Sequence, residues 1–174
     1  MPKPMKNHFK VMHTSITPRQ YLILGLFCLG CLSIGVVGGL ATASSVTTWY
    51  PTLEKPWFNP PDSVFGPVWS LLYLLMAAAA WRVWLIGHGP QKSKALQMFW
   101  FQLALNLLWS ILFFGMRQIG LALAEIVLLL LAILVTTFLF WRIDRWAGVM
   151  MLPYIAWVSF ATLLNASLWV LNPG

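Results

Sequence analysis

Apolar residues run along this chain in five long stretches, broken by short polar or charged interruptions. The stretches are Arg19 to Ser44, Phe65 to Ile86, Ala95 to Met116, Gln118 to Trp141 and Trp146 to Leu171. Each exceeds the roughly 20 residues that a helix rising 1.5 Å per residue needs to cross a hydrocarbon core about 30 Å thick. Runs such as Ile126 to Val135, "IVLLLLAILV", are apolar on every side, whereas a transmembrane β-strand alternates over about ten residues. The pattern therefore predicts an all-α membrane protein, a bundle of five transmembrane helices. Helix punctuation agrees: Thr17 and Pro18 suit the start of the first segment, Gly89 and Pro90 separate the second from the third, and Ser93 is placed to cap the third.

Composition sharpens this picture. Only 9% of the 174 residues are charged and 60% are hydrophobic, where soluble domains are about one quarter charged. The net charge of +7 raises the question of nucleic acid, and its distribution answers it. Alternating the five spans places Lys3, Lys6, Lys10, Arg19, Arg82, Lys92, Lys94, Arg142 and Arg145 on one side, and Lys55 and Arg117 on the other. Such a bias predicts a cytoplasmic N-terminus and an outside C-terminus, with the bases meeting lipid headgroups rather than nucleic acid. The first segment is too long for a signal-peptide core and lacks a convincing cleavage site, so it is read as a retained helix. The domain organisation is then a basic tail, residues 1–18, and one five-helix domain, residues 19–174, with no clear repeat.

The one long connection, Ser45 to Val64, lies outside by this topology and reads "SVTTWYPTLEKPWFNPPDSV". Pro51, Pro56, Pro60 and Pro61 forbid a continuous helix, and Trp49, Tyr50, Trp57 and Phe58 make it too aromatic for an ordinary solvated linker. An interfacial aromatic belt accounts for the rings alone. The added proline stiffness favours a rigid lid over a preorganised site.

Candidate chemistry is sparse. His8, His13 and His88 lie outside the spans, the carboxylates are far apart, and neither metal-ligand spacing nor a catalytic triad is present, so no cofactor or metal is expected. Cys28 and Cys31 form a CxxC in mid-helix, where packing is the simpler reading. Glu125 is an ionisable group inside a span, expected to hydrogen-bond a neighbouring helix, with a ligand role as the alternative. Gln102, Asn106 and Ser110 form a polar stripe at four-residue steps, again suited to interhelical hydrogen bonds. Cys31, Gly35, Gly39 and Ala43 form a small-residue face for close helix contact, within the bundle or between protomers.

The eleven tryptophans divide by depth. Trp81, Trp84, Trp100, Trp141 and Trp146 fall near inner helix ends and Trp169 near an outer one, as belt anchors do. Trp69, Trp109 and Trp157 sit deeper, in the outer half or middle of their spans. With the loop on the same side, they suggest an aromatic cavity facing outward, although each alone is equally suited to lipid contact.

Four ordered motifs now stand out: "WYPTLEKPWFNPP" (Trp49 to Pro61), "GPVWSLLY" (Gly66 to Tyr73), "QLALNLLWSILFFG" (Gln102 to Gly115) and "PYIAWVSFATLLN" (Pro153 to Asn165). In these the chain resembles the TspO/MBR family of tryptophan-rich sensory proteins, which includes the translocator protein or peripheral benzodiazepine receptor, from about Tyr21 to Asn172. The resemblance implies a five-helix bundle, commonly a homodimer, with a pocket beneath the first loop for porphyrins such as protoporphyrin IX and for isoquinoline-type ligands. Its pocket pattern falls on Tyr50, Pro60, Trp69, Tyr73, Asn106, Trp157 and Ala161. Some relatives promote light-dependent porphyrin degradation, and the implicated tryptophans correspond to Trp69 and Trp157. A structural or regulatory subunit is the third functional alternative. Two departures bear on the comparison. Ala166 and Val170 stand where animal members carry the Tyr and basic residue of a cholesterol motif, so tight cholesterol binding is not expected, and a bacterial membrane suits the chain better than the mitochondrial outer membrane. Glu125 stands where relatives often have Asp.

Overall fold

The computed structural model describes residues 17–173. The histidines His8 and His13 and the bases Lys3, Lys6 and Lys10 lie outside them, as does nearly all of the basic tail. Five helices follow in order: α1 (Pro18–Thr48), α2 (Asp62–Ile86), α3 (Gly89–Ser110, extended by a π-helical turn over Ile111–Gly115), α4 (Ile119–Ile143) and α5 (Arg145–Leu171). All five are long and apolar enough to cross a membrane, and the chain is a multi-pass membrane protein. In hydrocarbon a helix is the one single-segment solution that satisfies every backbone N–H and C=O internally.

Hydropathy placed the spans but shortened several of them. α1 continues a turn past Ser44, α2 begins at Asp62 rather than Phe65, and α3 begins at Gly89 rather than Ala95. Helical hydrogen bonding does not stop where apolar residues do. Gln91, Lys92, Ser93 and Lys94 are polar yet helical, so Ser93 lies inside α3 instead of capping it. Gly89 and Pro90 likewise form the first turn of α3 rather than a break ahead of it, with Gly89 at φ +58°, a conformation that suits glycine. The α1 start is as expected: the Thr17 N–H donates to Gln20 Oε1 at 2.7 Å, and Pro18 occupies the first helical position.

Contacts close the helices into a ring in the order α1, α2, α5, α4, α3 and back to α1, with α4 and α5 the most extensively packed pair. The core is filled by Met76, Phe99, Leu103, Ile126, Leu129, Ile133, Phe140 and Met151, with Ala77, Ala79 and Ala80 letting α2 approach its neighbours. Outward faces carry Leu22, Leu40, Leu131 and Phe138, as lipid-facing surfaces do. α1 is the least embedded helix. Its inward stripe is Phe27, Cys31, Gly38, Thr42 and Ser45; of the small-residue face, Cys31 packs inside the bundle, whereas Gly39 and Ala43 are exposed. The buried positions follow a heptad-like spacing rather than a strict four-residue row.

Two polar clamps tie the ends. At the end of the bundle holding the α2–α3 and α4–α5 connections, Arg82 of α2 pairs with Asp144, its Nε donating to Oδ2 and its Nη2 to Oδ1 at 3.2 Å. Asp144 Oδ2 also accepts the Ala147 N–H at 3.1 Å, so one carboxylate caps α5 and joins it to α2. At the opposite end, the Glu54 N–H donates to Asn172 Oδ1 at 2.9 Å, and Asn172 Nδ2 donates back to the Glu54 carbonyl at 3.0 Å. This reciprocal pair fastens the α1–α2 loop to the end of α5.

Both clamps are testable. The Arg82 guanidinium, with help from the Ala147 N–H, holds the Asp144 carboxyl below its ordinary range. A depressed carboxyl contributes stability above its unfolded-state pKa and loses it as the pH falls through the folded one. Thermal unfolding in detergent should therefore show Asp144→Asn destabilised by about 1–3 kcal/mol at neutral pH, with the gap to the unmutated chain closing in acid. For the loop, Asn172→Ala removes two exposed hydrogen bonds worth about 1 kcal/mol together, which speeds loop opening about fivefold. Cleavage after Glu54 by a glutamate-specific protease reads this directly, because the only other glutamate, Glu125, is buried in the bundle.

Candidate ligand-binding site

A cavity of about 420 Å³ lies beneath the α1–α2 loop, between α1, α2, the π-turn of α3 and α5. The chain builds its walls from aromatic faces. On α2, Trp69 and Tyr73 stand one helical turn apart and stack, with ring centroids 5.6 Å apart and planes at 29°. On α5, Trp157 packs edge-on against Phe65 at 5.8 Å and beside Phe160 at 5.6 Å, with Ala161 a turn further on. α1 supplies glycine: a Cβ on Gly35 would come within 2.6 Å of the Tyr73 ring, so this position lets Tyr73 lie flat against α1.

The roof is the loop. A turn of 3₁₀ helix over Tyr50–Thr52 turns Tyr50 inward, 4% exposed, against Phe113 and Phe114 at 6.4 and 5.7 Å. The π-turn of α3 makes this contact. By widening the helix at Ile111–Gly115 it brings Phe113 and Phe114 side by side, at 4.8 Å, toward the loop. The Tyr50 hydroxyl donates to Asn59 Oδ1 at 2.8 Å, and Lys55 Nζ sits 4.3 Å from the ring centroid. Burial pushes the Tyr50 phenol up to about 12, with Asp62 adding to the rise and the Asn59 bond opposing it. It remains a neutral donor at physiological pH.

Five of the seven residues that the motifs singled out, Tyr50, Trp69, Tyr73, Trp157 and Ala161, line this cavity. The other two stand behind the wall. Asn106 is 2% exposed and its Oδ1 accepts the Tyr73 hydroxyl at 2.7 Å, so it positions Tyr73. Pro60 accepts the Asn59 amide on its carbonyl at 3.1 Å, which orients the residue that holds Tyr50. Trp109, placed in the cavity by depth alone, also lines it. Its indole N–H donates to Asn165 Oδ1 at 3.1 Å, and Asn165 Nδ2 donates to the Ile119 carbonyl at 3.0 Å, tying α3, α4 and α5 together. Asn165 had a sequence signal: it continues the four-residue row from Trp157 and Ala161, and is polar inside an apolar span.

The polar stripe of α3 divides. Asn106 and Gln102 bond across helices, the latter through Nε2 to Met76 Sδ at 3.9 Å, whereas Ser110 returns to the Asn106 carbonyl of its own helix. Glu125 corrects its expectation. Neither carboxylate oxygen has a hydrogen-bond partner among the described residues, although the residue is only 7% exposed. Cys28 and Cys31 are free thiols packed in the core cluster. Among the residues lining the cavity, Asp62 at the loop end is the single charged one. Such a site suits a large, flat, mostly uncharged molecule, gripped by stacking and offered hydroxyl, indole and carboxylate contacts at its edges.

The comparisons with known proteins agree with this architecture. The profile of the TspO/MBR family matches residues 27–170. The chain is 41% identical over 159 residues to the tryptophan-rich protein TspO of Chlorobaculum tepidum, covering 89% of this chain and 99% of that one. It is 35% identical over 153 residues to the protein CrtK of Rhodobacter capsulatus, covering 87% and 94%. It is 37% identical over 148 residues to the human translocator protein, covering 84% and 85%. With a profile match across most of its length and relatives of this similarity along nearly their whole chains, the protein belongs to the TspO/MBR family.

Proposed function

We propose that this chain is a membrane receptor that binds porphyrins, protoporphyrin IX and haem-like tetrapyrroles among them, in the cavity beneath the α1–α2 loop. The observation that carries the reading is the pairing of Trp69 and Tyr73 on one wall with Trp157 on another, around about 420 Å³ of apolar space. That volume falls in the range of small-molecule pockets, roughly 300–1,000 Å³. Names such as tryptophan-rich sensory protein and translocator protein among the relatives are consistent with sensing or moving a small molecule. In this reading the loop end faces outward, with the N-terminus cytoplasmic as the charge bias predicts, and two copies pair as the family resemblance implies. Binding is the activity proposed here. A transporter built on the same binding site is the companion reading.

Flat aromatic ligands quench nearby indoles, so titrating protoporphyrin IX into the protein in detergent measures the affinity. With two of the eleven tryptophans replaced, nine remain to report. The Trp69→Ala, Trp157→Ala double variant should bind one to two orders of magnitude more weakly, at about 0.5–1.5 kcal/mol per lost ring contact beyond the area itself. Unchanged affinity contradicts the site.

The position of the Trp69 and Trp157 indoles on the cavity wall also favours a second reading, light-dependent porphyrin degradation that involves both and depends on Trp157. It predicts product formation under illumination that exceeds that of porphyrin in empty micelles and is lost in Trp157→Phe. Equal rates with and without protein exclude it.

A further inference from the structure

The bundle core holds a set of polar groups that the cavity does not use. Asn106 commits its carbonyl oxygen to Tyr73, while its Nδ2 has no hydrogen-bond partner among the described residues. The same is true of Gln102 Oε1, the Tyr154 hydroxyl and both carboxylate oxygens of Glu125. These four side chains come from α3, α4 and α5, and all are buried. Around the Tyr154 hydroxyl, the groups near enough to act on its charge are Tyr73, Asn106, Glu125 and Cys31. Polar atoms left unpaired in the middle of a membrane bundle are costly, and three of these side chains, Tyr154, Asn106 and Glu125, lie near one another and require a common explanation.

Glu125 decides what that explanation is. An ionised carboxylate here would need a cation, and among the described residues no base pairs with it. Arg82 is engaged with Asp144, the one salt bridge among the described residues. Arg117, the base closest in sequence, rests over the Trp49 ring, 5.9 Å from its centroid. From α5 the facing titratable group is the phenol of Tyr154; beyond it lie Tyr73 of α2 and Cys31 of α1. The second half of α3 offers only the uncharged amides of Gln102 and Asn106 and the Ser110 hydroxyl; its bases, Lys92 and Lys94, stand in its first turns, Lys92 over the Trp84 ring, and its π-turn carries no titratable group. Taking an unpaired negative charge out of water into this surrounding is strongly unfavourable, whereas the neutral acid gains a hydroxyl donor that the set lacks.

We infer that Glu125 is a proton-binding site of the bundle, uncharged at neutral pH and hydrogen-bonded, directly or through water, to the unpaired Tyr154 and Asn106 groups. Asn106 links this site to the cavity. Its carbonyl holds the hydroxyl of Tyr73, a cavity-lining residue, while its Nδ2 is unpaired and the side chain lies beside Tyr154. A cavity ligand that takes over the Tyr73 hydroxyl frees the Asn106 side chain and alters how firmly Glu125 keeps its proton. By linkage, the proton on Glu125 acts back on that ligand with the same coupling. The proton site itself does not depend on what the cavity binds.

Infrared spectroscopy of the full chain in an ester-free detergent tests this without any ligand, because the chain has only four acids, Glu54, Asp62, Glu125 and Asp144. At neutral pH the unmutated protein should show the carbonyl stretch of one protonated carboxyl, shifting on exchange into heavy water and fading reversibly as the pH is raised. The band should persist in Glu54→Gln and Asp62→Asn, vanish in Glu125→Gln, and move in Tyr73→Phe. Absence of a protonated carboxyl in the unmutated protein, a measurement that needs no variant to fold, overturns the proton site, as does a band that survives Glu125→Gln. A band unmoved in Tyr73→Phe overturns its link to the cavity.

Discussion

Hydrocarbon offers a polypeptide no hydrogen-bond partners, and the rest of this structure follows from that constraint. Every backbone amide in the spans must bond within its own helix, which fixes five helices before any side chain is considered. Hydroxyl side chains such as Thr42, Thr136 and Thr137 turn back on carbonyls of their own helix, whereas the larger polar side chains reach across to other helices and become the joints of the bundle. Tyr73 with Asn106 joins α2 to α3, and Trp109 with Asn165 joins α3 to α5. Asn165 with the Ile119 carbonyl adds α4, and Arg82 with Asp144 closes the far end. Since lipid tails are as apolar as the core, these bonds and close packing do the work that the hydrophobic effect does in water.

The same joints produce the cavity. Tyr73 is held by Asn106 on one side and admitted by Gly35 on the other, so its ring lies where Trp69 can stack on it. Trp109 is fixed by Asn165 and stacks on Phe113 at 5.3 Å, which in turn supports Trp49 and Tyr50 of the loop. Rigid aromatic walls held by hydrogen bonds from behind resist collapse, leaving space that close packing would otherwise fill. Preorganisation of this kind lowers the ordering cost of binding a flat ligand.

Much of this was legible in the sequence, and the remainder was not for identifiable reasons. The five spans could be read because bilayer thickness sets a length that apolar runs must meet. Their ends could not, because Gln91 to Lys94 are helical without being apolar. Trp69, Trp157 and Ala161 were recoverable from depth and motif order, since both report position along a helix. Whether a residue faces the cavity or stands behind its wall depends on rotation and on neighbours, which left Asn106 and Pro60 one layer too far forward. Glu125 shows the limit most plainly. Its burial in the bundle followed from the cost of an ionisable group in lipid, but its lack of a partner emerges only when all five helices are assembled.

A structure of the chain solved with protoporphyrin IX in a lipid environment tests whether the space beneath the loop is a porphyrin site. The macrocycle is expected inside the cavity, in contact with both Trp69 and Trp157 and roofed by Tyr50. A porphyrin lying on the lipid-facing surface, with the cavity walls collapsed together or filled by side chains, would contradict it.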